Sequence, residues 1–130
     1  MAKDVILTGG LSSPEAVTAA AERTGAAAVM LARGALGNPW LFEQVLGTRD
    51  APPTREEVLA ELDWVMDCAV EHLGGARAGR WLRTFYPWYV ERLALGHEHA
   101  KPLQRALQQT ATVAEARIAL QDAGTAVAAA

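Results

Sequence analysis

Two short apolar runs, Val5-Ile6-Leu7 and residues 27–32, stand about twenty residues apart, and no other stretch of the chain reads as a strand. Thr8-Gly9-Gly10 ends the first run in a tight loop. Ser13-Pro14-Glu15 then starts a helix: Ser13 can cap it, Pro14 fits its first turn and Glu15 complements its dipole. That helix is expected over Pro14–Thr24, with Gly25 as its stop. Strand, helix and strand at this spacing make a parallel βαβ unit. Neither strand alternates polar with apolar residues, so both faces are expected to be covered. A two-stranded parallel pair cannot stand alone, because it exposes two edges of unpaired backbone groups. The missing strands are expected either from another chain or from a larger α/β protein of which this is the end, and the exposed strand edges are expected to drive self-association.

The second run leads into Met30-Leu31-Ala32-Arg33-Gly34-Ala35-Leu36-Gly37-Asn38-Pro39-Trp40-Leu41-Phe42. An Arg-Gly turn at the end of a buried strand, with a helix opening just beyond it, suits a phosphate. Residues 35–37 read as loop, Asn38 as a cap and Pro39 as the first residue of a helix ending near Leu46. The architecture that ends in strand, phosphate loop, strand, phosphate loop is the (β/α)8 barrel, whose last two βα loops form a phosphate site and which needs about 250 residues. For Gly9, Gly10, Arg33 and Gly34 the plain alternative is turn glycines and a surface arginine.

Residues 50–53 punctuate the chain, and its character then changes. Thr54-x-x-Glu57 is a capping box. Val58, Leu62, Val65, Met66, Ala69 and Leu73 follow at helical spacing up to Gly74-Gly75. A second helix is expected over 76–95, kinked at Pro87, followed by helices at 102–109 and 112–123, with Thr112 as a cap and Gly124 as a stop. The fold class is therefore α/β plus all-α: an α/β piece over residues 1–48, a small helical bundle over 54–124, and a frayed tail at 125–130.

The net charge of −3 provides no global basic field for nucleic acid, so any such binding needs a local patch. Cys68 is the only cysteine, which excludes an internal disulfide and a multi-cysteine zinc site and fits a reducing, cytoplasmic setting. The apolar core of the first ten residues is too short for a signal peptide, and no run reaches the roughly 20 apolar residues of a membrane span.

Taken together, Val5-Ile6-Leu7-Thr8-Gly9-Gly10-Leu11, Ser13-Pro14-Glu15-Ala16, Gly25-Ala26-Ala27-Ala28-Val29-Met30 and Ala32-Arg33-Gly34-Ala35-Leu36-Gly37-Asn38-Pro39-Trp40-Leu41-Phe42 resemble the carboxy-terminal part of bacterial tRNA-dihydrouridine synthases. The resemblance continues through Arg83 and Trp88-Tyr89. It implies the last two βα units of a flavin barrel followed by a tRNA-binding helical domain. It also implies FMN as cofactor, NADPH as its reductant, and uridine in tRNA as the group reduced. Gly9 and Gly10 would cradle the FMN phosphate, with Arg33 and the Gly34 amide completing the cradle. Where the family usually has Asn-Gly-Asp and Gly-Arg-Gly, this chain has Thr8-Gly9-Gly10 and Ala32-Arg33-Gly34. Its usual Arg-Lys-His is Arg83-Thr84-Phe85 here, with fewer basic groups for RNA. The flavin ring site and the cysteine proton donor would lie upstream of these residues, so no catalytic residue is assigned in the chain and it is expected to be inactive by itself.

Other features carry competing readings. Arg77, Arg80 and Arg83 share one broad side of a helix and, with Lys101 and Arg105, could form an RNA phosphate strip. A plain solvated face is the alternative, since Glu91, Glu98 and the acidic first helix (Glu56, Glu57, Glu61, Asp63, Asp67) surround it. Trp64, Trp81, Trp88 and Tyr89 could stack on bases but at helical spacing read as core. Cys68 reads as a helix-packing residue. His97-Glu98-His99 reads as solvated loop rather than a metal site, because alternate spacing does not put both rings on one helical face. The alternatives for the whole are a non-catalytic RNA-binding module or inactive fragment, and another flavin or sugar-phosphate barrel enzyme.

Overall fold

A computed structural model describes residues 3–129 and divides between Pro52 and Pro53 into two compact units. Among the described residues it is mostly helical, with seven α-helices and one short parallel sheet. None of these helices is long and apolar enough to cross a membrane.

In the first unit, β1 (Ile6–Thr8) pairs in parallel with β2 (Ala28–Met30), Leu7 opposite Val29, and α1 (Pro14–Thr24) makes the crossover. The expected caps are present. Ser13 Oγ accepts from the Ala16 N–H at 3.2 Å, and Gly25, at φ 61°, donates its N–H to the Ala21 carbonyl at 2.9 Å. Leu11, Val17 and Ala20 form the core, with Leu7, Val29, Leu31 and Val45 packed on it. Only one sheet face is covered, contrary to the expectation from the apolar runs. The strands alternate, Leu7 and Val29 turning to the core while Ile6 and Met30 remain 64% and 52% exposed. A single crossover helix can cover only one face.

Beyond β2 the chain turns through a 3-10 segment at Arg33–Ala35 and enters α2 (Trp40–Val45). Asn38 is not the side-chain cap its position suggests. Pro39 already has helical backbone angles, and the buried Asn38 Oδ1 has no hydrogen-bond partner among the described residues.

The second unit opens with the Thr54 capping box: Glu57 N–H donates to Thr54 Oγ1 at 3.2 Å and Thr54 N–H to Glu57 Oε2 at 2.8 Å. It starts α3 (Arg55–Leu73). The single kinked helix expected over 76–95 is two helices, α4 (Gly75–Leu82) and α5 (Tyr86–Arg92). Pro87 has no N–H for the Arg83 carbonyl, so the helix stops and restarts with proline in its first turn, where no donor is needed. Next, α6 spans His97–Gln109, with Pro102 inside it. The His97-Glu98-His99 stretch is thus the first turn of a helix, not a loop; the Gly96 carbonyl accepts from His99 and Ala100. Finally, α7 (Val113–Ala129) begins at Thr112, whose Oγ1 accepts from Glu115 N–H at 3.2 Å. It passes through Gly124, where a stop was expected, because an exposed glycine weakens a helix without ending it.

Val58, Leu62 and Met66 of α3, Leu82 of α4, Tyr86 of α5 and Leu107 of α6 are fully buried and fill this unit. Arg117 of α7 reaches Asp63 and Asp67 of α3, each at 2.6 Å. Burial pushes the Tyr86 phenol up to about 12, although Arg117 and Arg83 pull the other way. Burial, with Glu61 adding to it, also pushes Tyr89 up to about 12. The folded state therefore keeps protons that the unfolded chain releases from its ordinary value of 10.0 upward. This part of the stability is complete below that pH and is lost as pH rises toward about 12. Phenolate absorbance and helical circular dichroism should change together in that window. Phenolates forming near the ordinary value, with helicity intact, would contradict the burial.

Candidate functional site

Because β1 and β2 are parallel, the loops that follow them leave the same end of the sheet. After β1, Gly9 and Gly10 both take left-handed backbone, φ 105° and 65°, which side chains rarely adopt. A Cβ on either would meet nothing within 4 Å, so these glycines are required by the turn and leave open space beside it.

Gly34, in the loop after β2, is required for the opposite reason. A Cβ there would lie 1.9 Å from the Leu11 carbonyl oxygen and 2.9 Å from Ser12 Cα. The second loop is thus seated on the backbone of the first, one residue beyond Gly10. The structure thus sets Gly34 against the residues that directly follow the Gly9-Gly10 turn. Arg33 is exposed beside it and makes no side-chain hydrogen bond or ion pair among the described residues. A fixed cation next to bare, closely approached backbone is the donor set that a phosphate dianion needs.

Four of the five candidate RNA contacts lie on two helices, and Arg83 directly follows the first of them. On α4, Arg77 and Arg80 are exposed, one turn apart. Arg83 is half-buried instead, its Nε–H donating to the Thr110 carbonyl at 3.0 Å, so it ties α4 to the turn between α6 and α7. Lys101 and Arg105 are exposed on α6, also one turn apart. No group of His, Cys, Asp and Glu among the described residues could hold a metal ion. The half-buried Cys68 lines a groove between α3 and α4 and has no disulfide partner.

Among the aromatics, Tyr89 is core and Trp88 is half-buried. The core reading is wrong for two others: Trp64 is 62% exposed and Trp81 is 44% exposed. The sequence held the signal for Trp64. It falls two residues after Leu62 and two before Met66, so at 3.6 residues per turn it points well away from their stripe.

A family model for dihydrouridine synthase matches residues 4–129. Among curated relatives, tRNA-dihydrouridine synthase B of Vibrio parahaemolyticus is 33% identical over 107 residues, which are 78% of this chain and 32% of the relative. The Vibrio cholerae protein of the same name is 30% identical over 90% of this chain and 37% of its own length. A probable tRNA-dihydrouridine synthase of Rhizobium leguminosarum is 39% identical over 55% of this chain and 22% of its own. The chain spans about a third of the length of the first two. With the family model covering all but the ends of the chain, this protein belongs to the dihydrouridine synthase family.

Proposed function

We propose that this chain supplies the phosphate grip and the RNA-contacting helices of a flavin-dependent tRNA-dihydrouridine synthase. The observation that carries the reading is the seat of Gly34 on the Leu11 carbonyl, which joins two glycine turns and Arg33 at one end of a parallel strand pair. On this reading β1-α1-β2 and the loops after it are the last two βα units of a (β/α)8 barrel. The strand alternation supports it, since barrel strands turn one side chain to the helices and the next to the interior. Leu7 and Val29 face the helix side, and the exposed Ile6 and Met30 would face the interior.

The residues fit FMN at its phosphate. Backbone N–H groups around Gly9, Gly10 and Gly34 would donate to the phosphate oxygens, and Arg33 would add a bidentate, always-charged partner. When bound, FMN reduced by NADPH supplies hydride to the uracil ring. The groups that hold the ring and donate the proton would belong to the two-thirds of the relatives' length that this chain does not span. The helical unit would contact tRNA through Arg77, Arg80, Lys101 and Arg105, with Arg83 in a structural role. The exposed Ile6 and Met30, and the outer edges of β1 and β2, would drive self-association of the chain by itself, in a cytoplasmic setting.

Titration of FMN fluorescence with the purified chain tests the phosphate grip. FMN should bind at least about ten-fold more tightly than riboflavin, which lacks the phosphate, and Arg33→Gln should remove most of that preference. Equal binding of the two flavins would sink the reading. The same chain with FMN, NADPH and unmodified tRNA should form no dihydrouridine. The exposure of all four candidate cations favours one second reading, a non-catalytic RNA-binding module. That reading expects tRNA binding with a steep salt dependence but no preference for FMN over riboflavin.

A further inference from the structure

The groove between α3 and α4 is the apolar feature that the phosphate grip and the basic helices leave unexplained. It holds about 370 Å³ and is lined by Trp64, Cys68, His72 and Leu73 of α3 and Trp81 of α4, almost entirely through apolar atoms. Two tryptophans left this open are unusual, because burying a large apolar side chain is favourable. The Trp81 ring is held in place from within. It packs on Phe85 with centroids 4.3 Å apart and planes tilted by 40°, which backs one wall of the groove with a second aromatic ring.

The rim is cationic on the α4 side. Arg77 precedes Trp81 by one turn on the exposed face of α4, and Arg80 is its sequence neighbour, also exposed. On the α3 side Glu61 stands one turn before Trp64, and Asp67 and Glu71 lie one turn beyond Trp64 and Cys68; Asp67 is paired with Arg117 at 2.6 Å. Exposed indole faces with guanidinium groups a turn away are complementary to a planar ring that carries phosphates. An apolar protein segment would use the tryptophans but leave Arg77 and Arg80 without a role.

We propose that this groove is a stacking site for one unpaired nucleotide of the RNA, its base against Trp64 and Trp81 and its flanking phosphates at Arg77 and Arg80. The assignment rests on the reading that the helical unit contacts RNA, and it makes that contact specific to unstacked bases. Duplex RNA keeps its base faces stacked and would reach only the arginines.

Tryptophan fluorescence of the full chain, titrated with a short single-stranded oligouridylate and with tRNA, tests this. The oligouridylate should quench emission, and an RNA duplex of the same length should quench it far less. Trp64→Leu should weaken oligouridylate binding about ten-fold, and Trp64→Phe, which keeps a ring, should restore most of it. Thermal melts should coincide for all three proteins, since the Trp64 side chain lies largely in solvent. Arg77→Gln with Arg80→Gln should lower the salt slope by roughly one to one and a half. If tRNA binds while Trp64→Leu changes nothing, the stacking site is wrong and the RNA-contact reading stands. Failure to bind either RNA overturns both. A dimer in sedimentation that Trp64→Leu dissolves, without loss of RNA affinity, would make the groove a contact between copies instead.

Discussion

Gly34→Ala is expected to unseat the loops after β1 and β2 and to destabilise the first unit by about 3 kcal/mol or more. The obstacle is space and not backbone conformation, since Gly34 is not among the residues at positive φ. The added Cβ would fall 1.9 Å from the Leu11 oxygen and 2.8 Å from its carbonyl carbon. Both are backbone atoms, so no side-chain rotation relieves the contact. One loop must move by an ångström or so, and Leu11 is itself 8% exposed and part of the small core with Val17 and Ala20. A unit with so few buried side chains has little to set against that cost. The variant should unfold the first unit at lower urea while the helical unit keeps its own transition, and on the proposed phosphate grip it should lose the preference for FMN over riboflavin. Gly10→Ala is the matched control. It meets nothing within 4 Å but sits at φ 65°, so it should cost about 1–2 kcal/mol through backbone strain and leave the loops in contact. A Gly34→Ala chain that unfolds with wild-type midpoints would mean that the loops do not touch as described.

How much of this was legible in the sequence varies with the range of the interaction. The α1 caps and the Thr54 box were readable because a cap needs only residues within four positions of one another. The Gly9-Gly10 turn was readable as a turn from its glycines alone. That Gly34 rests on Leu11 was not readable, because it depends on the strand register, which no local pattern states. Prolines misled in both directions. Pro87 splits a helix that its apolar spacing runs together, and Pro102 sits inside a helix that it was expected to open. In each case the outcome turns on whether packing compensates one lost backbone bond. Arg83 shows the same limit at a candidate site. Its spacing from Arg77 and Arg80 suggested three equivalent cations, but its partner is the Thr110 carbonyl, 27 residues away.

The helical unit has its own steric lock, and Gly79→Ala should break it. Alanine in mid-helix is ordinarily better than glycine by about 1 kcal/mol, so propensity alone predicts stabilisation. Here the new Cβ would lie 2.3 Å from the Ala111 carbonyl oxygen and 3.4 Å from Thr112 Cα. That turn cannot easily yield. Thr112 caps α7, Glu115 Oε2 accepts from the Ala111 N–H at 2.7 Å, and Arg83 holds the Thr110 carbonyl at 3.0 Å. Moving α4 away instead would strip Ala78 and Leu82, both fully buried, from their neighbours. Either route outweighs the propensity gain, and a net loss of about 2–3 kcal/mol is expected. Displacing α4 also shifts Arg77, Arg80 and Trp81 together, so on the proposed RNA contact tRNA affinity should fall with stability. Gly75→Ala, on the same helix, separates the two effects. It meets nothing within 4 Å and is not at positive φ, so the same substitution should raise the unfolding midpoint slightly. Opposite signs for two identical replacements four residues apart would place the cost at Ala111, and equal signs would refute that contact.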